Sequence, residues 1–500
     1  MSAVRRRSCL VLLSLALAST FVSVRDNDAR AQMTAYPTIP RPRIGSAPFL
    51  VQIPVIISPP APVTPGPQWQ SSFGVQPSQS LASGLMLSRT LDLNIGWVRL
   101  GGRISWAVLQ PTEGAPIRWE LLAGFENELR ALKLAGITPI VMILSSPRWA
   151  TINQPFPTSC GAIRPDKYAA FAQFVSALAT RYGSPEFNVH HWELGNEPDV
   201  APSLVGADSV FGCWGDIQDP FYGGRSYGEM LKVVGPSVKA VDPAAKLWLG
   251  GLLLDRPETT DPKAGHPELF LKGVLEAGAA PYFDIVAYHT YGHYRNEQID
   301  YDTTDAWVWA PWGGRVLGKA NFLRQLMNAY SVDKPLFLDE WALIWCGSRS
   351  GCGPPDASFY EMQANYIVRT GVRGVGGGVQ GLIWYTLDEP GYRYSALLDN
   401  SGVPKPVYQA YRQLMLQLNK ATYIGPIDYG AAVEAYAFRR DAEDVQVIWT
   451  KDDVTVPITV PQSRFRRAFD REGNPLNPVV MGTNAQLTVG FKPIYIILGP

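Results

Sequence analysis

"WELLAGFENELRALKLAGITPIVMILSS", residues 119–146, decides the fold. Its first part sets apolar residues at i, i+3 and i+4 and stops on Gly136, as an amphipathic helix with a C-terminal glycine does. Its second part, "TPIVMILSS" (138–146), is a short apolar run bounded by polar residues. A run of that length reads as a strand buried on both faces. Helix and strand together make one unit of an alternating β/α chain.

The unit recurs along the chain. Strand-like runs are "SSFGVQ" (71–76), "IGWVRLG" (95–101), "NVHHWELGN" (188–196), "KLWLGGLL" (246–253), "FDIVAYHTY" (283–291), "PLFLDEW" (335–341) and "GLIWYTL" (381–387). Helical patterns lie between them at 166–183 and near 80–94, 226–241, 266–279, 318–331, 358–373 and 406–419. Eight strands alternating with eight helices predict a parallel α/β sheet closed into a (β/α)8 TIM barrel over residues 69–422. A doubly wound open sheet is the alternative arrangement. From 423 to 500 the pattern changes to short runs such as "AVEAYAFRR", "VQVIWT" and "PIYIIL", with a hairpin turn at Asp470–Asn474. That segment predicts a small all-β, sandwich-like domain.

The N-terminal side is not core material. "MSAVRRRSCLVLLSLALASTFVS" has a basic start and an apolar run, and Ala29 and Ala31 follow in an A-x-A pattern. Residues 1–31 read as a secretory signal, with an earlier cut near Ala18–Thr20 or an uncleaved anchor as alternatives. Residues 32–68 are proline-rich and predict a stiff, extended tether. No later segment predicts a membrane span, so the expected location is secreted or periplasmic. The chain carries 44 basic and 44 acidic residues, a balance that argues against a general nucleic-acid or anionic-membrane binder. Outside the signal there are four cysteines, an even number that favours disulfides in an exported protein. Cys346 and Cys352 flank one short loop, and Cys160 with Cys213 would join two neighbouring loops. A zinc site has weak support, because no CxxC or HxxxH spacing is present.

Three short patterns mislead. "GRSYG" (224–228) fits a serine-hydrolase elbow but lacks a preceding strand, and Ser226 with Glu229 reads better as a helix capping box. "GGRVLGKA" (313–320) nearly fits a phosphate loop but ends on Ala320 where a hydroxyl must hold magnesium. "GGGVQG" (376–381) precedes a strand where a dinucleotide fingerprint would follow one.

The chemistry-bearing signal is a pair of carboxylates. Barrel sites form at the C-terminal ends of the strands. The fourth strand ends in Asn196 and Glu197, and the seventh ends near Glu340. Side-chain alternation predicts that Glu340 shares a face with Leu336 and Leu338 while Asp339 takes the opposite one. Two carboxyls facing each other across a barrel mouth suit cleavage of a glycosidic bond. At about 5–5.5 Å one protonates the leaving oxygen and the other attacks the anomeric carbon, with retention; at roughly 6.5–9.5 Å water fits between and the outcome inverts.

"WELGNEPD" resembles the Asn-Glu-Pro signature of the clan A retaining glycoside hydrolases, and "PLFLDEW" is similar to that clan's nucleophile segment. "SSPRWA" (145–150) and the trailing β domain look most like family 39 and related bacterial endoglycosidases, and "WELGNEP" is also similar to the heparanase-like family 79. The resemblance implies a catalytic domain at 69–422, with Glu197 as acid/base and Glu340 as nucleophile. It implies Asn196 as a partner of the substrate 2-hydroxyl and Arg99 as a charge-assisted partner of Glu340. It further implies that Tyr291 donates to the nucleophile, that His289 touches substrate, and that Trp384 is a sugar-stacking platform.

Trp149 in the third loop, and Trp307, Trp309 and Trp312 in the long loop after the sixth strand, are candidates to line sugar subsites. Glu193 reads as a structural acid, and Asp388 and Glu389 are candidates for the rim. Family 39 suggests β-xylosides or an exopolysaccharide. Family 79 suggests uronides, for which Arg103, Arg148 and Arg393 are the candidate cations. The expected function is an exported retaining β-glycoside hydrolase acting on a carbohydrate, with no metal or organic cofactor. A transglycosylase on the same site and a catalytically silent carbohydrate-binding protein are the alternatives.

Overall fold

The computed structural model describes residues 71–152, 162–201, 211–212, 214–261, 265–345, 353–389 and 391–500. The signal, the tether and the paired-cysteine candidates Cys160, Cys213, Cys346 and Cys352 lie outside the described residues. All described residues belong to one compact unit. None of its helices is long and apolar enough to cross a membrane.

Eight parallel strands close in chain order: β1 (Phe73–Gln76), β2 (Trp97–Ser105), β3 (Thr138–Leu144), β4 (His191–Leu194), β5 (Lys246–Leu252), β6 (Ile285–His293), β7 (Leu336–Ile344) and β8 (Gly381–Tyr385), which pairs back to β1. The helices are α1 (Gly84–Leu93), a short α2 (Trp106–Leu109), α3 (Ala123–Ala135), α4 (Tyr168–Tyr182), α5 (Gly224–Val241), α6 (Pro267–Glu276), α7 (Arg315–Ala329), α8 (Ala357–Gly376) and α9 (Pro406–Leu418). The opening stretch behaves as its pattern predicts. Leu129 and Leu132 of α3 are buried, Gly136 ends the helix at φ 68°, and β3 follows after two residues. α5 differs. It starts at Gly224, so Ser226 lies inside its first turn and is not the cap. A Cβ on Gly223 or Gly224 would stand 1.8 Å from the Trp214 carbonyl oxygen or 1.9 Å from that of Phe270, so close backbone packing sets this helix start.

The two faces of the barrel strands have different neighbours. Trp97, Ile140, Trp248, Ile285, Ala287, Phe337 and Ile383 pack together inside the barrel as a closed floor. The rings of Trp97, Trp248 and Phe337 meet edge-on, with centroids 4.5 to 6.3 Å apart. Leu336 and Leu338 face outward and join the large core under the helices. Substrate can therefore approach only from the C-terminal ends of the strands.

The C-terminal segment forms a six-stranded sheet and a three-stranded sheet. The larger contains β9 (Thr422–Pro426), β10 (Val433–Arg440), β11 (Glu443–Thr450), β13 (Phe465–Phe469), β14 (Pro475–Leu476) and β17 (Ile494–Leu498). The smaller contains β12 (Val456–Pro461), β15 (Val479–Met481) and β16 (Asn484–Val489). β13 and β14 join through the expected turn, in which Gly473 takes φ 96°. Alternation sorts the larger sheet. Ile494, Ile496 and Leu498 fill the sandwich, while Tyr495 and Ile497 belong to the barrel's outer core. α8, covered by the barrel on one side and this sheet on the other, is buried nearly throughout.

Candidate active site

Above the floor the interior turns polar. Alternation places Arg99 two residues after Trp97 and Glu193 two after His191, both facing inward. Arg99 is fully buried, and a buried charge is tolerable only when paired. Nε and Nη2 donate to the two oxygens of Glu193 at 2.8 and 2.7 Å. Nη2 also reaches Asn196 Oδ1 at 2.7 Å, and Nη1 donates to Gln76 Oε1 at 2.8 Å and to Glu340 Oε1. Asp339 Oδ2 lies 3.3 Å from Nε. Burial pushes the guanidinium down, but the charges of Glu193, Asp339 and Glu340 outweigh it and hold Arg99 well above its usual value. Burial raises the Glu193 carboxyl to about 7 against the pull of Arg99. Burial acts on Asp339 in the same sense, but Arg99 and His289 prevail and hold it below the usual range.

Glu340 reaches this layer through a break in the alternation. Tyr288 pairs with Leu338, but the next residue, His289, pairs with Glu340, so β7 carries one extra residue. Phe337 faces the floor and Leu338 the helices, which turns Asp339 inward, and the bulge turns Glu340 inward after it. Glu340 therefore does not share the face of Leu336 and Leu338, and Asp339 does not oppose it. β7 also continues to Ile344, so Glu340 sits within the strand. Its Oε2 accepts from the Tyr291 hydroxyl.

Glu197 follows β4 in a left-handed conformation, φ 47°, which is costly for a residue with a Cβ and recurs at functional sites. Two neighbours enforce it. Its amide donates to Gly251 O at 2.9 Å, and the Asp199 carboxylate accepts from Leu253 and Leu254 at 2.9 and 2.8 Å, fastening the turn to the end of β5. Burial raises the Asp199 carboxyl to about 7.

His289 joins the two glutamates. Its Nδ1 is 2.8 Å from Glu197 Oε1 and 3.5 Å from Glu340 Oε2, and its Nε2 is 3.4 Å from Asp339 Oδ1. Burial opposes the imidazolium, but Glu340 and Asp339 raise it to about 10, so the ring is charged at neutral pH. One oxygen of Glu197, one of Glu340 and a nitrogen of His289 all lie within 4.8 Å of one another.

These groups open into a cavity of about 1150 Å³ that Asn196, Glu197, His289, Tyr291 and Glu340 help to line. Arg99 stands beneath it. Of the tryptophans, Trp307 and Trp309 border the cavity. Trp384 does not. It is fully buried on the outer face of β8, donates to Ser395 O at 2.9 Å and packs edge-on against Trp341. The next residue, Tyr385, faces inward and lines the cavity in its place. Trp149 packs on Trp106 and donates to Gln110 O at 3.1 Å, and Trp312 packs on Phe322. Asp388 accepts from the amides of Ser78 and Gln79, and Glu389 pairs with Lys405, so neither serves the rim. Arg103 pairs with Glu128, and neither Arg148 nor Arg393 lines the cavity.

The basic wall is built from residues the sequence does not single out, Arg295, Arg315 and Lys319, and His293, Asp255 and Glu297 line the cavity beside them. Lys319, from the discarded "GGRVLGKA", donates to the carbonyls of Leu253 and His289, each at 2.7 Å. Burial brings its ammonium down to about 8. Arg315 donates to Asp305 O at 2.6 Å, and its buried Nε has no partner. Among the described residues no carboxylate lies within 4.0 Å of Arg315 or Lys319. Burial, and then the charges of Arg315, Arg393, Arg295 and Lys319, lower His293 to about 4.

A closed eight-stranded barrel followed by two antiparallel sheets is a fold that solved structures share. The fold is that of the family 39 and family 30 glycoside hydrolases. A family 39 glycoside hydrolase from Bacteroides cellulosilyticus WH2 is 19% identical over 86% of this chain and 81% of its own, with a TM-score of 0.62. A family 30 subfamily 8 xylanase from Clostridium acetobutylicum is 13% identical over 86% of this chain and 96% of its own, with a TM-score of 0.54. A family 39 β-xylosidase from Caulobacter crescentus is 18% identical over 86% of this chain and 96% of its own, with a TM-score of 0.52. No family model and no curated protein matches the sequence. At these identities the glycoside-hydrolase likeness is one of fold.

Proposed function

We propose that this chain is an exported glycoside hydrolase that cleaves β-glycosidic bonds with retention. The observation that carries the reading is the separation of the two glutamates, whose facing oxygens lie within 4.8 Å. A pair this close favours the double displacement of a retaining site over an inverting one. Glu340 attacks the anomeric carbon as the bond to the leaving oxygen breaks, and Glu197 gives that oxygen its proton. Water then enters, Glu197 takes its proton back, and the oxygen of water displaces Glu340. Arg99 and Tyr291 hold the attacking carboxylate in place by donating to its two oxygens. His289 holds Glu197 through Oε1. In this reading Asn196, whose Oδ1 accepts from Arg99, meets the sugar 2-hydroxyl.

Arg315 and Lys319, with no carboxylate within 4.0 Å among the described residues, favour a glycan that bears an acidic substituent. The basic start and A-x-A pattern of residues 1–31 favour export.

The test is a screen of aryl β-glycosides and of neutral and acidic polysaccharides, with NMR of the first-formed product. Retention gives the β anomer first; an α product would overturn the mechanism. A 2-fluoro glycoside should leave its sugar on Glu340, identified by mass spectrometry.

A further inference from the structure

We infer that the C-terminal β domain sets the shape of the substrate wall, with Glu434 and Arg373 as positioning residues. This rests on the reading that the cavity binds the glycan. The wall comes largely from the segment between β6 and α7, whose Tyr294, Arg295, Glu297, Trp307 and Trp309 border the cavity.

That segment is held from behind. The Tyr301 hydroxyl accepts from the amides of Arg295 and Glu297 at 3.0 and 3.3 Å and donates to Glu297 O at 2.8 Å, fixing the turn beside the cavity. Asp300 and Asp302, on either side of Tyr301, are both buried. Asp300 caps the following turn by accepting from the amides of Asp302 and Thr303. Asp302 accepts the first amides of α7, that of Val316 on its carboxylate and that of Arg315 on its carbonyl, at 2.9 and 3.0 Å. Both carboxylates rest on Arg373 of α8, whose Nη1 lies 3.0 Å from Asp300 and 3.2 Å from Asp302.

The opposite side of the same guanidinium belongs to the β domain. Arg373 Nε and Nη2 donate to Glu434 of β10 at 2.7 and 2.6 Å. Glu434 is oriented in turn by Tyr436 and Trp449 at 2.8 and 3.2 Å. A second tie lies at the surface, where Gln298 donates to Asp453 at 3.0 Å. The two aspartates already outweigh the charge of this guanidinium, and what Glu434 adds is the acceptor for Nε, which neither aspartate reaches. Removing Glu434 leaves Arg373 Nε without an acceptor and Nη2 with Asp300 alone, which loosens the anchor of the wall.

The experiment uses the full chain. Amide exchange is followed in wild type, Glu434→Gln, Glu434→Asp and the exposed variant Asp453→Ala. Kinetics on the oligosaccharide substrate found by the screen run alongside. The expected result for Glu434→Gln is roughly tenfold faster exchange within residues 294–314, unchanged exchange in α3 and α4, and KM raised several-fold at nearly constant kcat. Glu434→Asp should recover part of both effects. If Glu434→Gln does not fold, Asp453→Ala carries the test with a smaller effect in the same segment. Wild-type exchange at 294–314 in both variants, or equal acceleration over the whole barrel, would overturn the inference. The exchange readout needs no substrate, so an inactive wild type would count against the glycosidase reading alone.

Discussion

Asp339 and Glu340 are consecutive in the chain, and both face the inside of the barrel. An unbroken strand would have sent one of them out to the helices. The extra residue in β7 lets one strand supply an acid to the buried layer and the next acid to the cavity, both against Arg99.

Arg99 therefore holds three carboxylates together. Replacing it by methionine strands Glu193 and Asp339 in a dry interior. The variant should lose about 3–5 kcal/mol of stability, the cost of breaking a buried pair by removing one partner. Urea unfolding of Arg99→Met checks this, and a loss below about 1 kcal/mol would contradict the role given to the guanidinium.

The two glutamates should fail differently. Glu340→Gln should abolish turnover on every substrate. Glu197→Gln should slow substrates with poor leaving groups by about 10²–10⁴-fold and spare activated aryl glycosides in the first step. Equal losses on both substrate types would argue against Glu197 as the acid.

His289 makes a pH-dependent contribution to stability. Its folded-state value of about 10 stands above the ordinary 6.5, so folding favours the protonated ring. The resulting stabilisation is complete below about pH 6.5 and is lost as pH rises through 10. The stability gap between wild type and His289→Asn should be flat below pH 6.5 and narrow steadily above it. Thermal unfolding at a series of pH values measures it, and a gap that widens with pH would refute the assignment.

Trp384 and Tyr385 should exchange the roles that a stacking-platform reading implies. Trp384→Phe should lower the melting temperature and leave KM unchanged, because its ring and its hydrogen bond lie in the outer core. Tyr385→Ala should raise KM.

Arg315→Gln should weaken acidic substrates and leave neutral ones alone. The difference should shrink as salt is raised, since the attraction is electrostatic. Equal KM changes for both substrate classes would remove the anion from the proposed function.

The barrel was legible because each central strand is buried on both faces and reads as an apolar run, as "TPIVMILSS" does. Glu197 was legible because a polar pair after such a run needs a reason. The orientation of β7 was not, since the bulge at Asp339 carries no glycine or proline to mark it. The pairing of Trp384 and Tyr385 was ambiguous in the same way. Alternation separates neighbouring side chains but does not say which face is inward, and only the floor residue Ile383, two before Tyr385, fixes that. The basic wall escaped because Lys319 and Arg315 belong to the start of a helix, and it is the fold that brings that helix end to the mouth. Ser226 looked like a cap because a glycine pair packed against carbonyls is invisible without the loop and the helix that carry them.

β17 is the innermost consequence of the sandwich. It lies between β13 and β11, although its residues, Ile494–Leu498, are the last strand in the chain. During synthesis the ribosome has therefore released every barrel strand, and both glutamates, long before the sheet behind α8 can close. A nascent barrel must wait some hundred residues for its backing, with the outer face of α8 bare.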